Sequence, residues 1–297
     1  MSKPILRKTG ILLFWAAIWQ VAALAIDNPI LFVSPLDVGK SFFSLIPSPG
    51  FWISIGRSFG KISLGFLAAF FCGIAAGAMA YRFFLFRDLA EPVILLIKSI
   101  PVASFVILAL IWIGSGNLAV FISFLVVFPI LYENTITGLE NTDQKLLEMA
   151  QVFAFSPWGK LRLIYLPAVL PYIIAGCRIG LGMSWKSGIA AEVIGVPSHT
   201  IGENLYMAKI YLSTGDLFAW TIVIIWVSTC FEKIFLLLLQ KGGNSSVGAV
   251  YGWLLCSGGG DECSGKPDGV TGGRRCSGGD SGRFVWEGNV SVRRTDG

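Results

Sequence analysis

Charge is scarce in this chain. Of its 297 residues only 14% are Asp, Glu, Lys or Arg, where a soluble domain carries about 25%. Histidine occurs once, at His199. One imidazole and scattered carboxylates do not make the clusters that an integral membrane enzyme would need near the bilayer surface. The six cysteines include no Cys-x-x-Cys pair, which argues against a zinc or dithiol redox site. Cys72, Cys177 and Cys230 stand in apolar runs as small hydrophobes, and Cys256, Cys263 and Cys276 stand near the C-terminus. A net charge of +5 gives no case for nucleic acid, and all of the excess precedes Gly242, because the last 56 residues hold six basic and six acidic side chains.

What the chain has is hydrocarbon: 54% hydrophobic residues and a mean hydropathy of +0.70. A bilayer core about 30 Å thick takes roughly 20 apolar residues in a helix. Six stretches meet or approach that length, at about 10–26, 62–81, 92–113, 118–136, 169–196 and 217–239. The first reads as a membrane anchor and not a cleaved signal, because the run is long and no small-residue cleavage site clearly follows. Basic residues orient the helices. With the N-terminus inside, the cytoplasmic segments hold Lys3, Arg7, Lys8, Arg82, Arg87, Lys145, Lys160, Arg162 and Lys241, against mainly Lys40, Arg57 and Lys209 outside. The expected fold is an all-α integral membrane protein with six transmembrane helices.

Residues 1–26 form the cytoplasmic tip and first helix in this scheme. Residues 27–57 are external, and Pro29, Pro35, Pro47 and Pro49 read as an extended, turn-rich connection. Residues 58–241 carry the other five helices, with a second external loop at 197–216 that includes His199, to which no role is given. The tail at 242–297 is rich in Gly and Ser and has no sustained period, so it reads as disordered, with a frameshifted or misjoined reading frame as a candidate origin. Within it, Gly260 to Lys266 matches most of a phosphate-binding loop. Pro267 stands where the Mg²⁺-binding Ser or Thr belongs, and no βαβ core surrounds it. The chain therefore carries no ATP site of its own.

Between the fourth and fifth runs lies a polar loop, 140–167. It reads Glu148-Met149-Ala150, three residues, Ala154, nine residues, Ile164, one residue, Leu166-Pro167. Asp143 or Thr142 can cap a first short helix. Ser156-Pro157 predicts a second start, with Ser as cap and Pro at the first helical position. Two short helices at an angle are expected along the membrane surface, with Pro167 opening the next membrane helix. Ala154 is comfortable in a right-handed backbone and strained if φ is positive.

The order and spacing of these residues resemble the coupling loop of binding-protein-dependent ABC importer permeases. That family pattern is Glu-Ala-Ala, three residues, Gly, nine residues, Ile, one residue, Leu-Pro. Met149 stands for an Ala and Ala154 for the Gly. From Val33 to about Gln240 the chain is similar to permeases of the nitrate, sulfonate and taurine importer type. The similarity rests on Ser34-Pro35-x-Asp37-Val38, Ser58-Phe59-x-Lys61-Ile62-x-x-Gly65-Phe66, Lys98-Ser99-Ile100-Pro101, Ile111-Trp112-Ile113-Gly114-x-Gly116 and Phe128-Pro129-Ile130. It continues through Gly176-x-Arg178-Ile179-Gly180-Leu181-Gly182, Trp185 and Ala190-Ala191-Glu192.

The resemblance implies a six-helix type I importer permease in a bacterial inner membrane, catalysing no chemistry and needing no cofactor. It implies a second permease subunit, first expected to be an identical copy, two cytoplasmic ATP-binding subunits and an external solute-binding protein. The loop residues Glu148, Met149, Ala150, Ala154, Ile164, Leu166 and Pro167 would receive the ATPase stroke. Sulfonates, taurine, nitrate, bicarbonate-like anions and thiamine-precursor pyrimidines all stay open as solutes. The rival reading is a secondary transporter or channel working alone, which would need matching broken helices or inverted repeats in two halves.

Charged groups inside apolar runs are costly in lipid and face a cavity or a partner. Here they are Lys98, Arg178, Lys186 and Glu192. Spacings of eight and fourteen residues put Lys186 and Glu192 near the face of Arg178. Two readings follow: a polar pathway for an anion, or a structural network that neutralises itself. The second is favoured because Glu192 would repel an anion. Ser99, Ser104 and Ser184 are candidates for pore lining. Gly60, Gly65, Gly73 and Gly77 mark a small-residue face for close packing within the chain.

Overall fold

The computed structural model describes residues 3–26, 28 and 32–257. The chain divides into two units, Met1–Leu254 and Leu255–Gly297, and the first holds nearly all of the described residues. The phosphate-loop look-alike at 260–267 and the tail from residue 258 onward lie outside them.

Every element among the described residues is helical. They are α1 (Lys3–Ile26), α2 (Pro35–Leu45), α3 (Pro49–Arg82), α4 (Phe84–Ser99), α5 (Val102–Ile113), α6 (Leu118–Glu140), α7 (Gln144–Val152) and α8 (Pro157–Lys160). A π-helical turn (Leu161–Tyr165) follows, then α9 (Leu166–Gly195), α10 (Ile201–Ile210) and α11 (Thr214–Ser257). Five helices are long and apolar enough to cross a membrane: α1, α3, α6, the continuous run Pro157–Gly195 and α11 up to Lys241. The pair α4–α5 makes a sixth span if counted together.

That pair departs from the straight helix expected over 92–113. Its two halves are bent by 105°. Pro101 is the cause: it has no N–H to donate and it drives Ile100 to an extended backbone, φ −80° and ψ 130°.

The connection over 27–57 is not extended where it is described. Ser34 caps α2, accepting from the Asp37 N–H at 3.2 Å and donating to Asp37 Oδ2 at 2.9 Å. Lys40 Nζ lies 2.8 Å from Asp37 Oδ1, and the hydrogen bonds from Lys40 and Ser34 hold the Asp37 carboxyl below its ordinary range. Pro35 and Pro49 both open helices behind a serine. Prolines that read as turn punctuation are here helix N-termini, where the missing N–H costs nothing. Similarly, α10 occupies much of the stretch expected as an external loop. α11 runs past Lys241 through residues assigned to the tail by composition.

The core is α3, α6 and α9. Phe66, Ala69, Val127, Leu131, Cys177 and Leu181 are all buried in one cluster across these three helices. α3 and α6 approach so closely that a Cβ on Gly73 would lie 2.9 Å from Leu131 Cβ, and one on Gly77 would lie 2.8 Å from Thr135 Cβ. Gly65 meets α6 in the same way, whereas a Cβ on Gly60 would meet nothing within 4 Å. Three of the four small residues therefore serve packing within the chain, and Gly60 lies off that face.

The helices bring charges to two ends. At one, Arg87 Nη1 meets Glu140 Oε1 at 2.6 Å and the rings of Tyr81 and Tyr165 lie 6.4 Å apart. At the other, Asn204 Nδ2 donates to Ser54 Oγ at 2.9 Å and Arg57 Nη1 donates to the Ser198 carbonyl at 3.4 Å.

Candidate functional site

The 140–167 loop is a helix, a tight turn and a second helical start. Asp143 caps α7, its Oδ1 accepting from the Lys145 N–H at 2.9 Å. Ser156 caps α8, accepting from the Gly159 N–H at 3.1 Å, with Pro157 in the first turn. Both caps follow the sequence. The second helix is not a separate surface element, however. α8 is only four residues long and passes through the π turn into α9 without a break. Pro167 explains the widened turn: its ring cannot sit against the Leu163 carbonyl, nor can its nitrogen donate to it, so the preceding turn closes from the Leu166 N–H to the Leu161 carbonyl instead.

α7 ends in a Schellman motif. The Phe155 N–H donates to the Ala150 carbonyl at 3.0 Å and the Ala154 N–H to the Gln151 carbonyl at 3.0 Å. Ala154 occupies the position that requires a left-handed backbone, with φ +51°. The strained alternative is thus the one realised. Ala154→Gly is expected to stabilise the turn by about 1 kcal/mol, read as slower hydrogen exchange at the Ala154 and Phe155 amides. No change in exchange would mean that the turn relaxes without the side chain.

Of the loop residues, Ala150 and Ile164 are buried and anchor the turn to the body. Pro167 is half-buried, while Glu148, Met149, Ala154 and Leu166 are exposed. Beside them, Val152 is 83% exposed, Phe153 68% and Trp158 71%. The loop therefore presents an exposed acidic residue and three exposed apolar side chains on a backbone held by two caps and a Schellman turn.

The candidate polar residues separate into three places. Lys98 Nζ pairs with Glu133 Oε1 at 2.7 Å and Oε2 at 3.0 Å, tying the end of α4 to α6. Ser99 and Ser104 are exposed on either side of the α4–α5 break, and Ser99 Oγ donates to the Leu95 carbonyl at 2.7 Å. Ser184 does not line a surface of this subunit. It is fully buried, its hydroxyl donates to the Leu181 carbonyl at 2.8 Å, and its carbonyl accepts from Ser123 Oγ at 3.2 Å.

Arg178, Lys186 and Glu192 are not brought together. Arg178 and Lys186 are exposed, and neither has an ion-pair partner among the described residues. Glu192 is fully buried elsewhere. Ser58 Oγ donates to its Oε2 at 2.7 Å and the Gly202 N–H donates to the same oxygen at 3.2 Å. The Ile201 N–H donates to Ser58 Oγ at 2.9 Å. The expected neutralising network fails because residue 192 lies about 120° around the helix from residue 186, on the side that packs under α10.

Sequence reading missed α10 and this buried node. The signal for α10 was Thr200-x-x-Glu203. Thr200 Oγ1 accepts from the Glu203 N–H at 3.3 Å, as in a capping box, while the Glu203 carboxylate reaches back to the His199 N–H.

Comparison with known proteins gives these geometries a setting. The family described as "Binding-protein-dependent transport system inner membrane component" matches residues 65–241. A taurine transport system permease protein of Escherichia coli is 26% identical over 239 residues, covering 78% of this chain and 86% of that one. A nitrate import permease protein of Synechococcus elongatus is 30% identical over 226 residues, covering 72% and 79%. Among solved structures, a chain of a bacterial ABC transporter involved in import of the acidic polysaccharide alginate superposes with a TM-score of 0.50. It is 16% identical and covers 84% of this chain and 96% of that one, a likeness of fold alone.

Proposed function

This chain belongs to the family of binding-protein-dependent transport system inner membrane components, and from that premise we propose that it forms half of an ATP-driven import pore driven through its 148–167 loop. It is a multi-pass membrane permease and not an enzyme. The observation that carries the coupling reading is the exposure of Val152, Phe153 and Trp158 on the same short loop as exposed Glu148. Exposed apolar groups clustered on a rigid polar loop are suited to a protein partner. In this reading the partner is a cytoplasmic ATP-binding subunit, one for each of two permease copies, and ATP-driven closure of the pair moves the loops.

The orientation follows from charge. The end that carries the loop also holds Arg82, Arg87, Lys145, Lys160 and Arg162, a basic bias that supports a cytoplasmic loop and, with it, a cytoplasmic N-terminus. A solute-binding protein then delivers a small solute at the opposite end, with taurine, other sulfonates or nitrate as the class. A homodimer is the simplest assembly.

The test is purification of the full chain from its native membranes, with and without Glu148→Arg. An ATP-binding subunit is expected to follow the wild type and to be lost, at least tenfold, with the reversed charge. If no ATPase accompanies either form, the loop does not couple and a stand-alone transporter becomes the better reading.

A further inference from the structure

One face of α9 carries cations that have no ion-pair partner among the described residues. Past its first turn, its exposed positions run Pro171, Ala175, Arg178, Ile179, Met183, Lys186, Ala190 and Ile194, a single stripe at helical spacing. The rest of the helix packs against α3, α5, α6 and α10. Arg178 and Lys186 are about 12 Å apart along the axis, inside a run that crosses the membrane. Two unpaired cations at that depth do not face lipid; they face water or a partner. Two other cations are held by acids of the same subunit: Lys98 by Glu133 and Arg87 by Glu140. The argument for internal neutralisation required Glu192 on the same face, and Glu192 is buried on another. Small residues, Ala175 and Ala190, flank the cations, exposed Ile179 and Met183 lie between them, and a Cβ at the adjoining Gly182 would meet nothing within 4 Å, so the stripe is open to a second surface or a solute.

We propose that Arg178 and Lys186 line a water-filled translocation path between two permease subunits and select an anionic solute. Each subunit contributes two positive charges and no acid to the stripe, so two copies enclose a strongly cationic path. Such a path concentrates anions and repels cations. A neutral pyrimidine gains nothing from it. The inference rests on the pore-forming part of the reading above, and assigns to these two side chains the preference for a solute with a sulfonate, carboxylate or inorganic oxyanion group.

The experiment places a single cysteine at Ala190, within the stripe, in a full-length chain whose native cysteines are replaced. Right-side-out and inside-out vesicles are treated with two methanethiosulfonates of similar size, one bearing a sulfonate and one a trimethylammonium group. The sulfonate reagent is expected to react about tenfold faster from at least one side. The double change Arg178→Gln and Lys186→Gln is expected to bring the two rates together. Equal rates before that change, or no reaction from either side, overturn the proposal. Labelling does not require an ATPase. Anion-selective labelling without a co-purifying ATPase therefore sinks the coupling and leaves the cationic path, and unselective labelling with the ATPase bound does the reverse.

Discussion

Gly77→Leu is expected to abolish the folded permease. A first side-chain carbon at that position would lie 2.8 Å from Thr135 Cβ and 2.9 Å from the Tyr132 carbonyl oxygen. One of those atoms is backbone and the other the root of a β-branched side chain, so neither can move aside alone. α3 and α6 would have to separate along their length, opening the cluster of Phe66, Ala69, Val127 and Leu131. Overpacking on a rigid helix pair costs about 1–3 kcal/mol at a single site. A leucine here adds three further carbons against a close-packed wall, and about 4–5 kcal/mol is enough to unfold many domains. The readout is membrane-inserted protein recovered as a monodisperse peak in detergent. Gly60→Leu is the control: it adds the same side chain to the same helix where nothing lies within 4 Å, and recovery is expected to stay near wild type. Equal loss at both positions would mean that glycine acts through the helix backbone and not through contact with α6.

How far the sequence discloses this molecule depends on which interactions carry the signal. Hydrophobic length and the positive bias are local sums, so the long spans at α3, α6, α9 and α11 are legible without any tertiary knowledge. Caps are equally local, and Asp143 and Ser156 could be read from a few residues each. Ser-Pro pairs are ambiguous in the same window: Ser34-Pro35 and Ser48-Pro49 start helices but carry the same letters as a turn. The 105° break after Ser99 is written in Pro101, yet hydropathy runs straight across it. Pairings across helices leave no local trace. Glu133 looks like the polar end of a span until Lys98 is found 2.7 Å away, and Glu192 looks like a partner for Arg178 although about 21 Å of helix axis separates them and Glu192 is buried. Periodicity supplies an angle around a helix axis; it does not say which neighbour occupies it.

Glu192 is expected to tolerate Gln and not Ala. Its Oε2 accepts from Ser58 and from the Gly202 N–H, while Oε1 is buried without a hydrogen-bond partner. A glutamine oxygen can take over both contacts with the same shape. Alanine leaves the Gly202 N–H without an acceptor and opens a hole where four side-chain heavy atoms were lost. An unsatisfied buried donor costs about 1–3 kcal/mol, and the cavity adds to it, so a loss of about 3 kcal/mol is expected. The start of α10 cannot close that hole by shifting inward. Gly202 already lies so near α9 that a Cβ would stand 2.7 Å from the Val193 nitrogen. Ser58→Ala should show part of the same loss, because it strands the Ile201 N–H, and the two alanine changes together should cost less than their sum, as members of one network do. Thermal unfolding in detergent supplies the global figure, and protease cleavage between residues 196 and 213 reports whether α10 has come away. If Gln proves as damaging as Ala, the carboxyl at position 192 holds α10 through its charge and not through the hydrogen bonds to Ser58 and Gly202.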